Sequence, residues 1–190
     1  MSYLFQSSRL GFRPLIDSDL LPMAAINSDP AVMEFFPKRQ STTETQAFID
    51  IVQQHHAAHG YAWYAVDILE NKEFIGFIGL IQTPFEASFT PCTEIGWRLK
   101  KAAWGKGYAT EGATRCLAHG FQTLQLPEIY SFTATVNHRS ERVMQKIGMT
   151  KVGEFDHPKL EKGNWLERHV LYRIVKEKGN YSEQRVEKRE

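Results

Sequence analysis

The stretch Trp104-Gly105-Lys106-Gly107-Tyr108-Ala109-Thr110-Glu111 decides how the rest of the chain is read. Before it, residues 93–99 form a short run of strand character; after it, Ala113, Leu117, Phe121 and Leu124 recur at helical spacing. The two glycines therefore stand between a strand and a helix. There the first backbone N–H groups of the helix lack intrahelical partners and the helix dipole favours an anion. Glycine lets that backbone come close to a phosphate, and Lys100, Lys101 and Lys106 add positive charge nearby. The same residues also suit a plain tight turn with exposed lysines. Two common phosphate loops do not fit. A dinucleotide fingerprint counted from Gly105 needs Gly or Ala where Thr110 stands, and a Walker loop needs Ser or Thr after the lysine, where Gly107 stands. A ligand here should be some other phosphate-bearing molecule.

Working outward, residues 9–15 suit a first strand, and Asp17, Ser18 and Asp19 offer N-cap oxygens for a short helix to about Ile26. Ser28-Asp29-Pro30 repeats the signal and predicts a second helix over 30–36, stopping at Pro37. Thr43 with Gln46 resembles a capping box; Phe48, Ile51, Val52 and His55 then share a helix face that Gly60 closes. Residues 61–69 and 74–82 read as an antiparallel hairpin joined by Glu70-Asn71-Lys72-Glu73. Past the loop lie a strand over 129–136, a helix capped by Asn137 and ended by Gly148, and a final strand pair over 149–155 and 165–174. Hairpins mixed with strand–helix crossovers predict an α/β fold, a central mixed, mostly antiparallel sheet flanked by helices. The domain should run over 1–175. Residues 176–190, nine of them charged, should form a flexible tail.

Composition narrows the function classes. The chain has 190 residues and a formal net charge of +1, with 12 Phe, 7 Tyr and 4 Trp, so it can bury one core and is no low-complexity segment. Near-neutral charge argues against nucleic acid as a partner, and no run of about 18 apolar residues suggests a membrane span. No basic then apolar leader opens the sequence, which points to the cytoplasm. The two cysteines, Cys92 and Cys116, read as reduced packing residues. His55, His56 and His59 lack the following Glu of a zincin and lie on an apolar-faced helix, so no metal is expected.

The octet Trp104 to Glu111 resembles the acetyl-coenzyme A loop of the GNAT acyltransferases, in the form found in their RimJ/RimL-like group, which acetylates ribosomal protein N-termini. Further matches are Arg9-Leu10 with Arg13-Pro14, Glu94-Ile95-Gly96-Trp97, and Asn137-His138-Arg139-Ser140 followed by Lys146-Ile147-Gly148-Met149. The resemblance covers roughly residues 8–175. It implies the GNAT fold and acetyl transfer from acetyl-coenzyme A to a primary amine by direct attack. The acceptor would be a protein N-terminus or a small amine such as a polyamine, amino acid or antibiotic; the rival is a coenzyme A-binding module without turnover. A homodimer is left open.

Site residues follow from the same resemblance. Trp104, Gly105, Lys106, Gly107, Tyr108 and Ala109 would hold the pyrophosphate, and backbone groups of Trp97, Arg98 and Leu99 would pair with the pantetheine arm. Asn137 would hydrogen-bond that arm or simply cap its helix. Met144 stands where many relatives carry a Tyr acid; Ser140, one turn earlier, is the candidate hydrogen-bond donor to the thioester sulfur, or a second capping residue. The strand before Asn137 carries no Glu, so Glu94 is the first candidate for the general base, raised in pKa by burial. Glu111 reads as a packing or hydrogen-bonding residue and His138 as an exposed cap residue. Asp156-His157-Pro158 and Arg168-His169 lie near the last strand pair, where the fold shapes an acceptor pocket; they could select an acidic or carboxylate-bearing substrate, or simply sit on the surface.

Overall fold

The glycine turn stands between the fifth strand and the third helix in the computed structural model, which describes residues 2–176. The expected tail, from position 177 on, lies outside the described residues. In chain order the elements are β1 (Phe5–Gln6), β2 (Leu10–Arg13), α1 (Leu20–Ser28), α2 (Thr42–His59), β3 (Trp63–Ile68), β4 (Phe74–Gln82), β5 (Thr93–Leu99), α3 (Tyr108–Gln122), β6 (Glu128–Ala134), α4 (His138–Lys146), β7 (Thr150–Asp156) and β8 (Arg168–Val175). Their strands make one sheet in the order β1-β2-β3-β4-β5-β6-β8-β7. Every neighbouring pair is antiparallel except β5 and β6, which meet in parallel at a single rung, Glu94 opposite Tyr130. The mixed, mostly antiparallel sheet read from the sequence is therefore the sheet observed.

Alternation along the strands sends apolar residues to both faces. Leu10, Phe12, Tyr64, Val66 and Leu80 pack against Ala113, Cys116, Leu117 and Phe121 of α3, while Ala65 and Phe77 face Met23 and Ile26 of α1 and Ile49 and Val52 of α2. Covering both sides lets the central strands β3 and β4 be apolar almost throughout.

One buried polar network ties the sheet to α1. Arg13 donates to Asp19 from Nη1 and Nη2 at 2.6 and 2.8 Å, and to Asp67 from Nε and Nη2 at 2.8 and 3.1 Å; all three side chains are buried. A guanidinium forked between two carboxylates satisfies charges that would otherwise be costly to bury. It also redirects Asp19, which reads as a cap residue from sequence: its carboxylate serves Arg13 and the Ile16 N–H, and α1 has no side-chain cap.

Four local expectations are corrected. Residues 30–36 form turns: the Asp29 carboxylate accepts from the Ala31 N–H and closes one turn, after which Val32 and Met33 fold into the core instead of continuing a helix. The capping box of α2 is Ser41 with Glu44, two residues ahead of Thr43, with both reciprocal bonds formed at 3.2 and 2.8 Å. On that helix Thr45, Ile49 and Val52, at i, i+4 and i+7, form the buried stripe, and Ile51 falls outside it and is exposed. Finally, the first strand is shorter than residues 9–15, and a two-residue strand, Phe5–Gln6, folds back on it.

Candidate active site

Gly105 and Gly107 adopt φ of +74° and +80°, the left-handed conformation that glycine tolerates and other residues resist. Gly107 is the N-cap of α3, so the N–H groups of Tyr108, Ala109 and Thr110 begin the helix without intrahelical acceptors. Trp104 anchors the loop by donating its indole N–H to the Leu99 carbonyl at 2.9 Å. Glu111 anchors it from the other side, accepting from Ser7 Oγ at 2.7 Å and from Arg9 N and Nε at 2.8 and 2.6 Å. Burial alone would raise that carboxyl; the bonds from Ser7 and Arg9 outweigh it and hold Glu111 below the usual carboxylate range. Glu111 is thus the hydrogen-bonding residue that the sequence suggests.

The loop opens on a cavity of about 680 Å³. Beyond the Glu94–Tyr130 rung no further rung joins β5 to β6, and the bridge between them is Ser131 Oγ donating to the Ile95 carbonyl at 3.0 Å. Trp97, Arg98 and Leu99, at the parted end of β5, line the cavity with Trp104, Gly105, Gly107, Tyr108, Ala109, Asn137 and Ser140. Lys106 is exposed and lies outside this lining, and Lys100 is ion-paired with Glu73.

Glu94 lines the same cavity and accepts from Thr83 Oγ1 at 3.1 Å. Burial pushes its carboxyl up from 4.5 to about 7, although its edge stays in contact with the cavity. A carboxyl at that value is half ionised near neutral pH and can take a proton from an ammonium. Gly96 follows two residues on, and Arg98 two further, all three on the α1–α2 face of the strand. Arg98 is 9% exposed; its Nη1 donates to Asn27 Oδ1 at 2.7 Å and its guanidinium lies 4.2 Å from the Phe36 ring. Burial lowers its pKa to about 10.

On α4 the Asn137 amide is held at both ends, donating to Thr133 Oγ1 at 3.0 Å and accepting from the Ser140 N–H at 3.3 Å. It is a helix cap with one amide proton and one lone pair to spare. Ser140 sits on the turn facing the cavity; Met144, one turn on, is 1% exposed within the core. His138 is exposed at the start of that helix. From β6, β8 and the segment between β7 and β8, Phe132, His169, His157, Lys159, Leu160 and Leu166 also line the cavity. Burial lowers both histidines, His157 to about 4, so both are neutral at pH 7. His55 lies elsewhere, with Nδ1 at 2.8 Å from the Tyr61 carbonyl and Nε2 accepting from the Gln82 N–H; both ring nitrogens are committed to the fold.

Two features of the cavity were not legible in the sequence. The Arg98 side chain, read there only as a backbone position, could have been flagged by the period-two spacing Glu94-x-Gly96-x-Arg98. Trp63 had no such signal, because its place beside Gly96 depends on the register of β3 with β4 and of β4 with β5.

The chain matches the family model described as acetyltransferase (GNAT) domain over residues 9–150. It is 30% identical to the uncharacterized N-acetyltransferase YnaD of Bacillus subtilis, with 92% of this chain and 98% of that protein covered. It superposes on the crystal structure of a GNAT-family acetyltransferase from Bacillus anthracis with a TM-score of 0.74 at 26% identity, covering 90% of this chain and 97% of that one. Spermidine N-acetyltransferase from Vibrio cholerae, in complex with CoA and spermine, shares the fold with a TM-score of 0.71 at 20% identity over 89% of this chain and 96% of that chain.

Proposed function

This chain belongs to the GNAT acetyltransferase family, and on that premise we propose that it moves an acetyl group from acetyl-coenzyme A to a primary amine by direct attack, with Glu94 as the general base. The observation that carries the reading is that the glycine-turned start of α3 and the buried Glu94 carboxyl open on one cavity.

The residues present fit a coenzyme A pyrophosphate. The N–H groups of residues 108–110 are donors without helical acceptors, the dipole of a 15-residue helix adds partial positive charge, and neither Gly105 nor Gly107 carries a side chain in the way. The parted edge of β5 over Trp97 to Leu99 offers backbone groups to an extended pantetheine arm. When bound, the thioester supplies an activated acetyl group whose sulfur leaves as thiolate. Glu94 takes the ammonium proton, directly or through water, which frees the nitrogen lone pair. The nitrogen then bonds to the acetyl carbon, the carbon–sulfur bond breaks with its electron pair going to sulfur, and the second nitrogen proton passes to the departing thiolate or to water, leaving the amide and coenzyme A. A thiol of pKa about 8.5 leaves largely unaided, so the Ser140 hydroxyl has only to donate a hydrogen bond to the departing sulfur. Met144, buried in the core, takes no part.

The motifs shared with the RimJ/RimL-like group support a protein N-terminus as acceptor; the limited volume of the cavity, about 680 Å³, supports a small amine. A thiol-release assay with acetyl-coenzyme A over N-terminal peptides, amino acids, polyamines and aminoglycosides tests the reading. Turnover of at least one amine, with a rising limb near pH 7 that Glu94→Gln removes, is the expected result. Acetyl-coenzyme A binding without turnover of any amine would identify a non-catalytic module, and absence of binding would overturn the assignment of the loop.

A further inference from the structure

The chain buries two arginines and treats them differently. Arg13, 5% exposed, is forked between Asp19 and Asp67. Arg98, 9% exposed, takes part in none of the ion pairs formed among the described residues; its one protein acceptor is the neutral Asn27 amide, and its Nε has no acceptor. The rings of Phe36, Phe77 and Phe48, at 4.2, 5.4 and 5.7 Å, offer partial compensation through their faces. Beside it stands a second orphan. The Trp63 indole is stacked on Phe77 at 5.0 Å, and its buried Nε1–H has no acceptor. Both side chains line the cavity.

Two unmatched donors, one of them charged, call for an acceptor group brought by a ligand, and for an anion above all. Their placement says which end of the ligand it is. Glu94, Gly96 and Arg98 share one face of β5, with roughly 13 Å between the outer Cα atoms at the usual strand rise. Gly96, with no side chain, leaves room between them for the Trp63 indole, whose Nε1 would stand 3.2 Å from a Cβ there. Apolar walls rise around these residues from Phe36, Phe132, Leu160 and Leu166. Among the described residues Glu94 is the only carboxylate in the lining, against the cations Arg98, Arg139, Lys146 and Lys159. A polyamine would set its second ammonium against a desolvated guanidinium with no carboxylate left to receive it, a like-charge contact that rejects such a substrate.

Resting on the acetyl-transfer reading, we propose that the acceptor is a primary amine that carries a carboxylate, with its amine at Glu94 and its carboxylate held by Arg98 and the Trp63 indole. The Arg98 guanidinium and the Trp63 indole N–H above Gly96 then form a specificity subsite on the α1–α2 face of β5. A charge-assisted bond of this kind discriminates by roughly ten- to a hundredfold.

The test uses a series of amino acids with amine and carboxylate one to four carbons apart, each beside the amine lacking its carboxylate, together with spermidine and a peptide amide. Binding is read by calorimetry and turnover by thiol release. The expected result is a carboxylate preference of roughly ten- to a hundredfold in kcat/KM and in affinity for at least one pair, collapsing toward unity in Arg98→Gln and shrinking in Trp63→Phe. The ratio within a pair is insensitive to a general loss of folded enzyme, since both acceptors report on the same sample. Turnover in which the amine lacking a carboxylate, the polyamine or the peptide amide does as well would overturn this inference and leave acetyl transfer standing. A preference that survives both substitutions would remove Arg98 and Trp63 from the subsite. Carboxylate-selective binding without turnover of any amine would uphold the subsite and overturn the acetyl-transfer reading.

Discussion

Replacing Glu94 by Gln should make the protein more stable at neutral and alkaline pH while making it a worse catalyst. Burial raises the native carboxyl from 4.5 to about 7. Between those values the folded chain keeps a proton that the unfolded chain releases, so unfolding becomes easier by about 1.4 kcal/mol for each pH unit. The stability that Glu94 contributes is therefore whole below pH 4.5 and lost as pH rises through 7, a change of about 3 kcal/mol over the window. That is the upper end, because the carboxylate edge facing the cavity keeps part of its hydration. Glutamine has the same shape, can still accept from Thr83 Oγ1, and never ionises. Urea unfolding followed by tryptophan fluorescence at pH 5 and pH 8 reads the difference. Glu94→Gln should gain up to about 3 kcal/mol on the wild type at pH 8, with the gap shrinking toward zero as pH falls to 4.5. An offset that is the same at both pH values would refute the buried-acid account. A gain in stability with a loss of rate at one residue is the trade expected of a group placed for chemistry.

Gly107→Val should weaken acetyl-coenzyme A binding by at least roughly tenfold, since a β-branched residue at φ +80° is strained by about 1–3 kcal/mol and its Cβ stands 3.3 Å from Arg9 Nη2 beside the helix-start donors. Calorimetry of acetyl-coenzyme A with the variant checks this, and unchanged affinity would reduce the turn to a connection. Arg13→Met should cost about 3–5 kcal/mol at pH 7, because Asp19 and Asp67 are left buried without a counter-charge. Urea unfolding of that variant should show a smaller loss as acid protonates the two carboxylates, and a loss unaffected by pH would mean that packing, not charge, holds the triad.

Where local chemistry dictates local structure, the sequence was legible. Gly60 and Gly107 end and begin helices as read, β3 and β4 form the hairpin their apolar runs announce, and the glycine turn sits between β5 and α3. Residues 30–36 failed because a cap oxygen and a Pro at the first position can close one turn as well as start a helix, and the apolar residues there were claimed by the core. Asp19 failed as a cap because a partner six residues back, Arg13, is a stronger donor than a helix N–H. Glu94 could be singled out from its type and strand, and Arg98 shares its face by strand periodicity, whereas its partner Thr83 and its neighbour Trp63 come to the site only through the pairing of β3, β4 and β5.

The lone rung between β5 and β6 has a mechanical side. Strands β1 to β5 and strands β6, β8 and β7 are two laddered leaves, and the spine that joins them is one residue pair with the Ser131–Ile95 bond beside it. A ligand sliding between the leaves breaks no ladder bond, because past the spine there is none to break. The spine residue is Glu94 itself. In any rotation of one leaf against the other about that pair, displacement grows with distance from the pivot, so the parted end of the cleft moves most and the proton acceptor least.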